Sequence, residues 1–192
     1  MIFFSADHHF CHANIIRYCK RPFESVEEMN EALVLRWNAV VGVADTIYYL
    51  GDFSLATRPL DLFMPRLNGE KFLVMGNHDV CHPCNKKKAE AALPLYAESG
   101  FKILGLEAPL EICGEKVRLH HMPYQETSAE EGYAPAPKHL QYRPKDDGMW
   151  LLHGHVHEKW RVKNKMINVG VDVWDFHPVP LEEIERIISG YR

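Results

Sequence analysis

Short groups of residues that can bind metal ions recur along this chain, each after a run that predicts a β-strand. The groups are Asp7-His8-His9, Gly51-Asp52, Gly76-Asn77-His78-Asp79, His120-His121 and Gly154-His155-Val156-His157. Because strand ends in α/β sheets meet in one crevice, groups far apart in sequence are expected to converge there. A lone histidine or a Gly-Asp turn is weak evidence, but five such groups at strand ends together predict a metal site.

The donor types indicate which ions the site would bind. Imidazole nitrogen, carboxylate oxygen and amide oxygen, without thiolate, suit manganese, iron or zinc rather than calcium. The set would overfill one tetrahedral site, whereas two ions about 3.5–4 Å apart that share a carboxylate would use all of it. The sequence therefore predicts two divalent metal ions, with manganese as the expected metal and iron, zinc, nickel or cobalt as alternatives.

Two of the groups place their donors at alternate positions. Asp7 and His9, like His155 and His157, are separated by one residue, so in extended backbone both members of a pair face the same side. Glycines at three strand ends would allow backbone and metal to approach closely, and these are Gly51, Gly76 and Gly154.

The elements that must position these groups follow from hydrophobic periodicity and breaker residues. Strands are predicted at Ile2 to Ala6, Thr46 to Leu50, Lys71 to Met75, Lys102 to Leu104, Val117 to His120, Met149 to Leu152 and Met166 to Val169. Ser25 and Glu28 form a capping box for a helix that runs to about Val40. Further helices are predicted from Pro59 to near Leu67, from Asn85 to Glu98 with a kink or early end at Pro94, and from Leu181 to Ile188.

The order of these elements indicates the architecture. The first half alternates strand and helix, as a layered α/β domain does, and the second half is richer in strands, as in a mixed sheet or sandwich. With 192 residues, no internal repeat and no break in composition, one domain spanning residues 1–192 without a separate cap is expected. The irregular stretch from Pro123 to Gly148, rich in proline, glycine and charge, is a candidate lid.

Composition argues against several classes of protein. No run approaches the roughly 18 apolar residues of a membrane span, and the N-terminus lacks the pattern of a secretory signal. We therefore expect a cytoplasmic protein without membrane contact. The net charge of -4 argues against a broad surface that coats nucleic acid.

The five cysteines include one Cys-x-x-Cys pair. An odd number without a regular framework fits a reducing compartment rather than a set of disulfides. Cys81-His82-Pro83-Cys84 has the spacing of a redox or zinc site, but no second such pair completes a four-ligand zinc cage. The segment is therefore interpreted as a surface turn, with the redox or zinc site as the alternative.

In this order the five groups resemble the signature of the calcineurin-like metallophosphoesterases: Asp-x-His, Gly-Asp, Gly-Asn-His-Asp or Glu, a later His, and Gly-His-x-His. The match runs from about Asp7 to His157, and Asp7 to Phe23 looks like the opening of small bacterial and phage members. The resemblance implies a four-layer α/β/β/α sandwich of two mixed β-sheets flanked by helices, the metallo-dependent phosphatase fold. It also implies a hydrolase that acts on phosphodiester or phosphomonoester bonds.

The resemblance further implies which residues bind which ion. One ion would be bound by Asp7, His9, Asp52 and His157, and the other by Asp52, Asn77, His121 and His155, so that Asp52 bridges the two. His121 is preferred to His120 because the family usually shows a His-x-Pro run, which His121-Met122-Pro123 matches.

A phosphate ester repels nucleophiles, so its hydrolysis needs positive charge and an activated water. A hydroxide held between the two ions would attack phosphorus in line while the ions neutralise the phosphate oxygens. His78, adjacent to Asn77, is the expected general acid for the leaving oxygen, and Asp79 is expected to orient it. Packing beside the ligands is the alternative role for His78.

Three residues beyond the first group are candidate substrate contacts. His12, Asn14 and Arg17 could touch the phosphate, or could equally serve the start of a helix, where Asn14 would act as the cap. The expected substrate is a phosphate ester, with nucleotides and nucleic-acid ends among the candidates.

Two other functions are alternatives to the phosphoesterase. A non-catalytic metal-binding interaction module of the same fold typically lacks a ligand or the histidine of Gly-Asn-His, and here every position is filled. A dinuclear hydrolase of the metallo-β-lactamase type would need a compact His-x-His-x-Asp-His run, and none occurs. The residues therefore favour the enzyme over the module.

Overall fold

The computed structural model describes residues 1–125 and 137–191, and in these ranges ten strands form two five-stranded sheets. In chain order the strands are β1 (Ile2–Ser5), β2 (Thr46–Tyr49), β3 (Glu70–Val74), β4 (Phe101–Gly105), β5 (Glu107–Ile112), β6 (Glu115–His120), β7 (Trp150–His153), β8 (Val162–Lys163), β9 (Met166–Asn168) and β10 (Val179–Pro180). The helices are α1 (Ala13–Tyr18), α2 (Val26–Val40), α3 (Arg58–Phe63), α4 (Lys87–Glu98) and α5 (Leu181–Gly190).

Both sheets are mixed. The first has the order β10-β1-β2-β3-β4, in which β1 to β4 are parallel and β10 is antiparallel to β1. The second has the order β5-β6-β7-β9-β8, in which β6, β7 and β9 are parallel and the outer strands are antiparallel to their neighbours. Parallel neighbours need crossover connections, and α1 to α4 lie in those of the first sheet. The carboxyl ends of adjacent parallel strands therefore share one edge in each sheet.

The buried apolar residues form two large clusters and a small one. The first cluster joins the helices to one face of the first sheet, for example Trp37 of α2 against Ile47 of β2. The second contains residues of both sheets, such as Phe4 of β1 and Leu152 of β7, together with Ile184 of α5. The two sheets therefore pack face to face, an arrangement consistent with the expected α/β sandwich. The small cluster comprises Tyr124, Leu151 and Met166.

The helix predictions hold with corrections. Ser25 accepts a hydrogen bond from the Glu28 backbone N–H at 3.1 Å, as the capping box requires, but the Glu28 carboxylate accepts from the Glu24 N–H instead of that of Ser25. The predicted early end at Pro94 is wrong, because α4 continues through it to Glu98. Pro94 is exposed, so the carbonyl left without its helical partner can be hydrated. Four short elements were not predicted, namely α1, β5, β8 and β10.

The candidate lid at 123–148 is only partly described, and residues 126–136 of it lie outside the described ranges. A 3-10 helix spans Pro137–Tyr142, so this part is not irregular as predicted. The Gln125 N–H donates to Pro144 O at 2.9 Å, and Arg143 Nε donates to Pro123 O at 3.2 Å. These contacts tie the two ends of the segment together. Within the described ranges, no helix is both long and apolar enough to cross a membrane.

Candidate metal centre

Two groups of predicted ligands meet where the strands end, and a third group of potential ligands, Cys19, His157 and Asp172, shares His157 with the first. In one group the donor atoms of Asp7, His9 and His157 all lie within 4.8 Å of one another, and in the other the same holds for Asp52, His121 and His155. The groups follow β1, β2, β6 and β7, which are neighbours in pairs within the two facing sheets. The topology therefore brings together six of the seven residues proposed as ligands.

Asp52 belongs to the second group and also approaches the first. Its Oδ2 is 3.6 Å from His9 Nε2 and 3.3 Å from His121 Nε2, although neither contact has the geometry of a hydrogen bond. Its Oδ1 instead accepts a hydrogen bond from the His78 backbone N–H at 2.8 Å. One carboxylate oxygen is thus directed between two imidazole nitrogens, while the other holds the carboxylate in place.

Several donor atoms of the predicted ligands are buried without a hydrogen-bond partner among the described residues. They are Asp7 Oδ1, both ring nitrogens of His9, Asp52 Oδ2 and Asn77 Oδ1. Buried polar atoms are nearly always paired, because leaving one unpaired costs about 1–3 kcal/mol. Here the unpaired atoms are of the types that coordinate divalent cations, so the donor set fits metal ions.

The ligand loops hold unusual backbone conformations. Five non-glycine ligands have positive φ, namely Asp7 at 62°, His9 at 52°, Asp52 at 59°, His155 at 71° and His157 at 50°. The left-handed region costs a non-glycine residue about 1–2 kcal/mol, and such strain persists only where the surroundings enforce it. Backbone hydrogen bonds from Asp7 N–H to Gly51 O at 3.0 Å and from His9 N–H to Asp52 O at 3.1 Å supply part of that enforcement.

The glycines at the strand ends allow the ligand loops to approach one another closely. A Cβ on Gly76 would lie 2.3 Å from Asp52 Oδ1, and one on Gly154 would lie 2.6 Å from Asp7 Oδ2. A Cβ on Gly51, where φ is 89°, would lie 2.3 Å from the Gly76 nitrogen. These contacts leave no space for a side chain, so the loops can meet only because these positions are glycine.

The ionisation of the ligands reflects burial and mutual attraction. Burial opposes ionisation of Asp52, but the positive charge of His121 outweighs it and holds the pKa of Asp52 well below its usual range. Burial likewise disfavours charge on His121, yet Asp52 raises its pKa to about 9. For His9 and His155 burial dominates, and their pKa values fall well below the usual range. Both are therefore neutral imidazoles, the form in which histidine binds metals.

Asp79 has a different role from the one expected. Its carboxylate accepts hydrogen bonds from the backbone N–H groups of Asp52 at 2.9 Å, Phe53 at 2.9 Å and Gly76 at 2.8 Å. Among the described residues the Asp79 carboxylate makes no hydrogen bond to His78. The prediction that Asp79 orients His78 through a direct contact is therefore wrong. Asp79 joins the loops after β2 and β3, and burial followed by the charge of Asp52 raises its pKa to about 7.

His78 itself is exposed and faces the ligands. The ring centroids of His78 and His9 are 5.5 Å apart in an edge-on arrangement. His12 is half-buried, with its ring centroid 5.6 Å from that of His9. Asn14 and Arg17 are exposed residues of α1, and Arg17 lies over the Tyr18 ring. The alternative that Asn14 caps this helix is wrong, because His12 is the N-cap residue and Asn14 lies inside the helix.

The choice of His121 over His120 agrees with the geometry. His121 approaches Asp52, whereas His120 Nδ1 accepts a hydrogen bond from the Met122 N–H at 2.9 Å. The interpretation of Cys81 as part of a surface turn is wrong, because its side chain is buried in the first core cluster. Burial also raises the pKa of the Cys81 thiol, which makes it a poor nucleophile.

Two residues next to the centre were not singled out from the sequence. Asp172 Oδ2 lies 3.1 Å from His157 Nδ1, and Arg21 forms a two-point ion pair with Asp172 at 2.8 and 2.9 Å. Arg21 also donates to the backbone oxygen of Asp7 at 2.6 Å. A signal was present, since Gly170-Val171-Asp172 follows the strand at Met166 and is another acidic group at a strand end.

Comparisons with known proteins give relatives of similar length. No protein-family model matches the chain. The chain is 34% identical to protein MJ1445 of Methanocaldococcus jannaschii over 98% of this chain and 91% of that protein. It is 30% identical to the gene 66 protein of Mycobacterium phage L5, over 89% of this chain and 86% of the phage protein.

Among solved structures, the chain is similar to AQ665 from Aquifex aeolicus, described as a protein of unknown function. The identity is 25%, the TM-score is 0.65, and the alignment covers 97% of this chain and 98% of that one. An archaeal phosphodiesterase aligns with 88% of this chain and 81% of its own, at 16% identity and a TM-score of 0.39. That similarity is too low to transfer a fold or a function.

Proposed function

We propose that this chain, which belongs to the family of MJ1445 and the phage L5 gene 66 protein, is a dinuclear-metal-dependent phosphoesterase that hydrolyses phosphodiester or phosphomonoester bonds. The observation that carries the proposal is Asp52 Oδ2, which is buried, makes no hydrogen bond and lies near both His9 and His121. Two cations that share one carboxylate require a ligand in this position. We also propose that the chain adopts the metallo-dependent phosphatase fold and that it is located in the cytoplasm.

The residues that would hold the ions form two sets with one member in common. The first position would use Asp7, His9, Asp52 and His157, and the second Asp52, Asn77, His121 and His155. When bound, a pair of divalent ions supplies positive charge and acidifies water. Manganese is the proposed metal because the donors are nitrogen and oxygen without thiolate.

His78 would supply the proton for the leaving oxygen. It is exposed, so a substrate can reach it, and its ring lies edge-on to the ligand His9. Its backbone N–H is hydrogen-bonded to Asp52 Oδ1, which ties its position to the bridging carboxylate. Asp79 acts indirectly in this scheme, because it holds together the two loops that carry Asp52 and His78.

The substrate phosphate would be held from the side of α1. His12 adjoins His9, and the cationic side chain of Arg17 is exposed on the same helix. Positive and hydrogen-bonding groups there suit the phosphate oxygens of a nucleotide or a nucleic-acid end. The substrate is therefore proposed to bind over α1, with its leaving-group oxygen next to His78.

The proposal is tested by assaying the manganese-loaded protein on a generic phosphodiester, a phosphomonoester and cyclic nucleotides. Asp52→Asn should reduce hydrolysis of every active substrate to background, because both positions lose their shared charge. The matched control is Glu31→Gln, which removes an exposed carboxylate paired with Arg66 and should leave the rate unchanged. Bound manganese without turnover of any phosphate ester would overturn the enzyme in favour of a non-catalytic metal-binding module.

A further inference from the structure

The histidines of the two metal positions are supported by chemically different partners. His157 Nδ1 lies 3.1 Å from the carboxylate oxygen Asp172 Oδ2, whereas His121 Nδ1 lies 2.7 Å from the backbone oxygen of Leu50. In both cases Nδ1 is engaged by this contact, which leaves Nε2 directed at the other ligands, and His121 Nε2 lies 3.1 Å from His155 Nδ1. A carboxylate makes an imidazole a more basic ligand than a neutral carbonyl does. His157 is therefore a stronger nitrogen donor than His121.

Asp172 is held rigidly in its supporting position. The Arg21 guanidinium contacts both of its carboxylate oxygens, and both side chains are almost fully buried, at 0% and 2% exposure. The same guanidinium donates to the backbone oxygens of Asp7 at 2.6 Å and His8 at 2.9 Å. Arg21 thus connects the carboxylate behind His157 to the loop that carries Asp7. A two-point pair of this kind fixes orientation as well as charge.

The two positions also differ in the negative charge of their ligands. Asp7 and the shared Asp52 supply two carboxylates to the first position, while the second has Asp52 and the neutral amide of Asn77. A divalent cation is attracted more strongly where more anionic ligands are buried with it. Ligand charge and histidine support therefore favour the same position.

We propose that the two positions fill in order, with the ion at Asp7, His9 and His157 bound more tightly, and that Asp172 and Arg21 are positioning residues that create this difference. The inference rests on the proposed dinuclear centre and extends it to the order and strength of binding. It predicts a tightly held ion at the first position and an exchangeable ion at the second.

Manganese alone is the probe for the order of binding. Metal-free protein is titrated with Mn²⁺ while electron paramagnetic resonance counts free ion and distinguishes an isolated bound ion from a coupled pair. We expect two steps whose Kd values differ by roughly tenfold or more, with the coupled signal confined to the second. His155→Ala should keep the tight step and lose the weak one, and His157→Ala should do the reverse. The opposite pattern, or two equal steps, would overturn the inference.

The role of Asp172 is tested by Asp172→Asn, with Glu31→Gln as a control that also removes a carboxylate from a two-point arginine pair. Asp172→Asn should weaken the tight step by roughly 10- to 100-fold and leave the weak step unchanged. Circular dichroism establishes that each variant is folded before it is titrated. Equal weakening of both steps, or of neither, would contradict the positioning role. If the protein binds two Mn²⁺ ions with unequal affinity but hydrolyses no phosphate ester, the proposed reaction is overturned and this inference is not. If the wild-type protein binds fewer than two ions, both are overturned.

Discussion

The loops that carry the ligands and the aromatic core beside them are built in opposite ways. The loops place five charged or imidazole residues at positive φ and leave ligand atoms unpaired. In the core, Phe10 stacks on Phe63 at 4.4 Å and tilts against Phe53 at 4.9 Å, with all three side chains buried. Phe10 directly follows His9, and Phe53 directly follows Asp52. Two of the five strained ligands, His9 and Asp52, are thus each followed by a buried aromatic residue whose burial offsets the strain.

The largest effect on activity is expected at His78, which lies at the centre but does not have the positive φ of the ligands. His78→Ala should lower kcat roughly 10²- to 10⁴-fold, because a general acid would be lost, while Mn²⁺ affinity and stability stay unchanged. The measurement pairs steady-state kinetics with an Mn²⁺ titration. His177→Ala, which changes a half-buried histidine outside the centre, is the control. An unchanged kcat would show that His78 only packs beside the ligands and is not the general acid.

The next largest effect tests the aromatic anchors. Phe53→Ala should lower the free energy of unfolding by about 3–5 kcal/mol and also weaken Mn²⁺ binding, because Asp52 loses its anchor. Leu33→Ala, in the same core cluster but distant in sequence from the ligand loops, should cost about 2–5 kcal/mol and leave Mn²⁺ affinity unchanged. Denaturant unfolding and Mn²⁺ titration measure the two quantities. Equal losses of affinity in both variants would show that anchoring is not local.

A smaller effect is expected where two loops touch. Gly154→Ala would place a Cβ 2.6 Å from Ala6 Cβ and Asp7 Oδ2, and should destabilise the fold by about 1–3 kcal/mol while displacing a ligand. Gly190→Ala, which meets nothing within 4 Å in α5, should stabilise by about 0.5–1 kcal/mol. Thermal unfolding with and without Mn²⁺ separates the variants. A Gly154→Ala protein that keeps its full Mn²⁺ affinity would contradict the close contact.

The smallest effect concerns strain that carries no ligand. Cys11 has φ of 63° in the same loop as His9, and its N–H donates to Asn30 Oδ1 at 3.1 Å. Cys11→Gly keeps this hydrogen bond and relieves the left-handed backbone but loses the weak contact from Asn30 Nδ2 to Sγ at 3.7 Å, so stability should rise by up to about 1 kcal/mol. Equilibrium unfolding measures the change. A loss of stability would show that this loop holds positive φ without strain.

Local patterns explain why much of the fold was predictable. β1 and β2 were predicted to within one residue, because their buried apolar runs end at Asp7 and Gly51, where the periodicity stops. β5 was missed, since Glu107, Pro109 and Glu111 interrupt its apolar pattern. Proline and exposed charge are tolerated there because β5 is an edge strand. Predictions from periodicity thus fail first at the margins of a sheet.

The sequence by itself determined the donor chemistry of the centre, because a strand end and its glycine are specified by a few adjacent residues. Only the tertiary structure decided which residues contact the ligands and hold them in position. Arg21 and Asp172 are 151 positions apart, and they meet only because the connection between α1 and α2 is brought next to the segment after β9. Asp79 holds backbone amides rather than His78 for the same reason, since a buried carboxylate binds whichever N–H groups the packed loops direct at it.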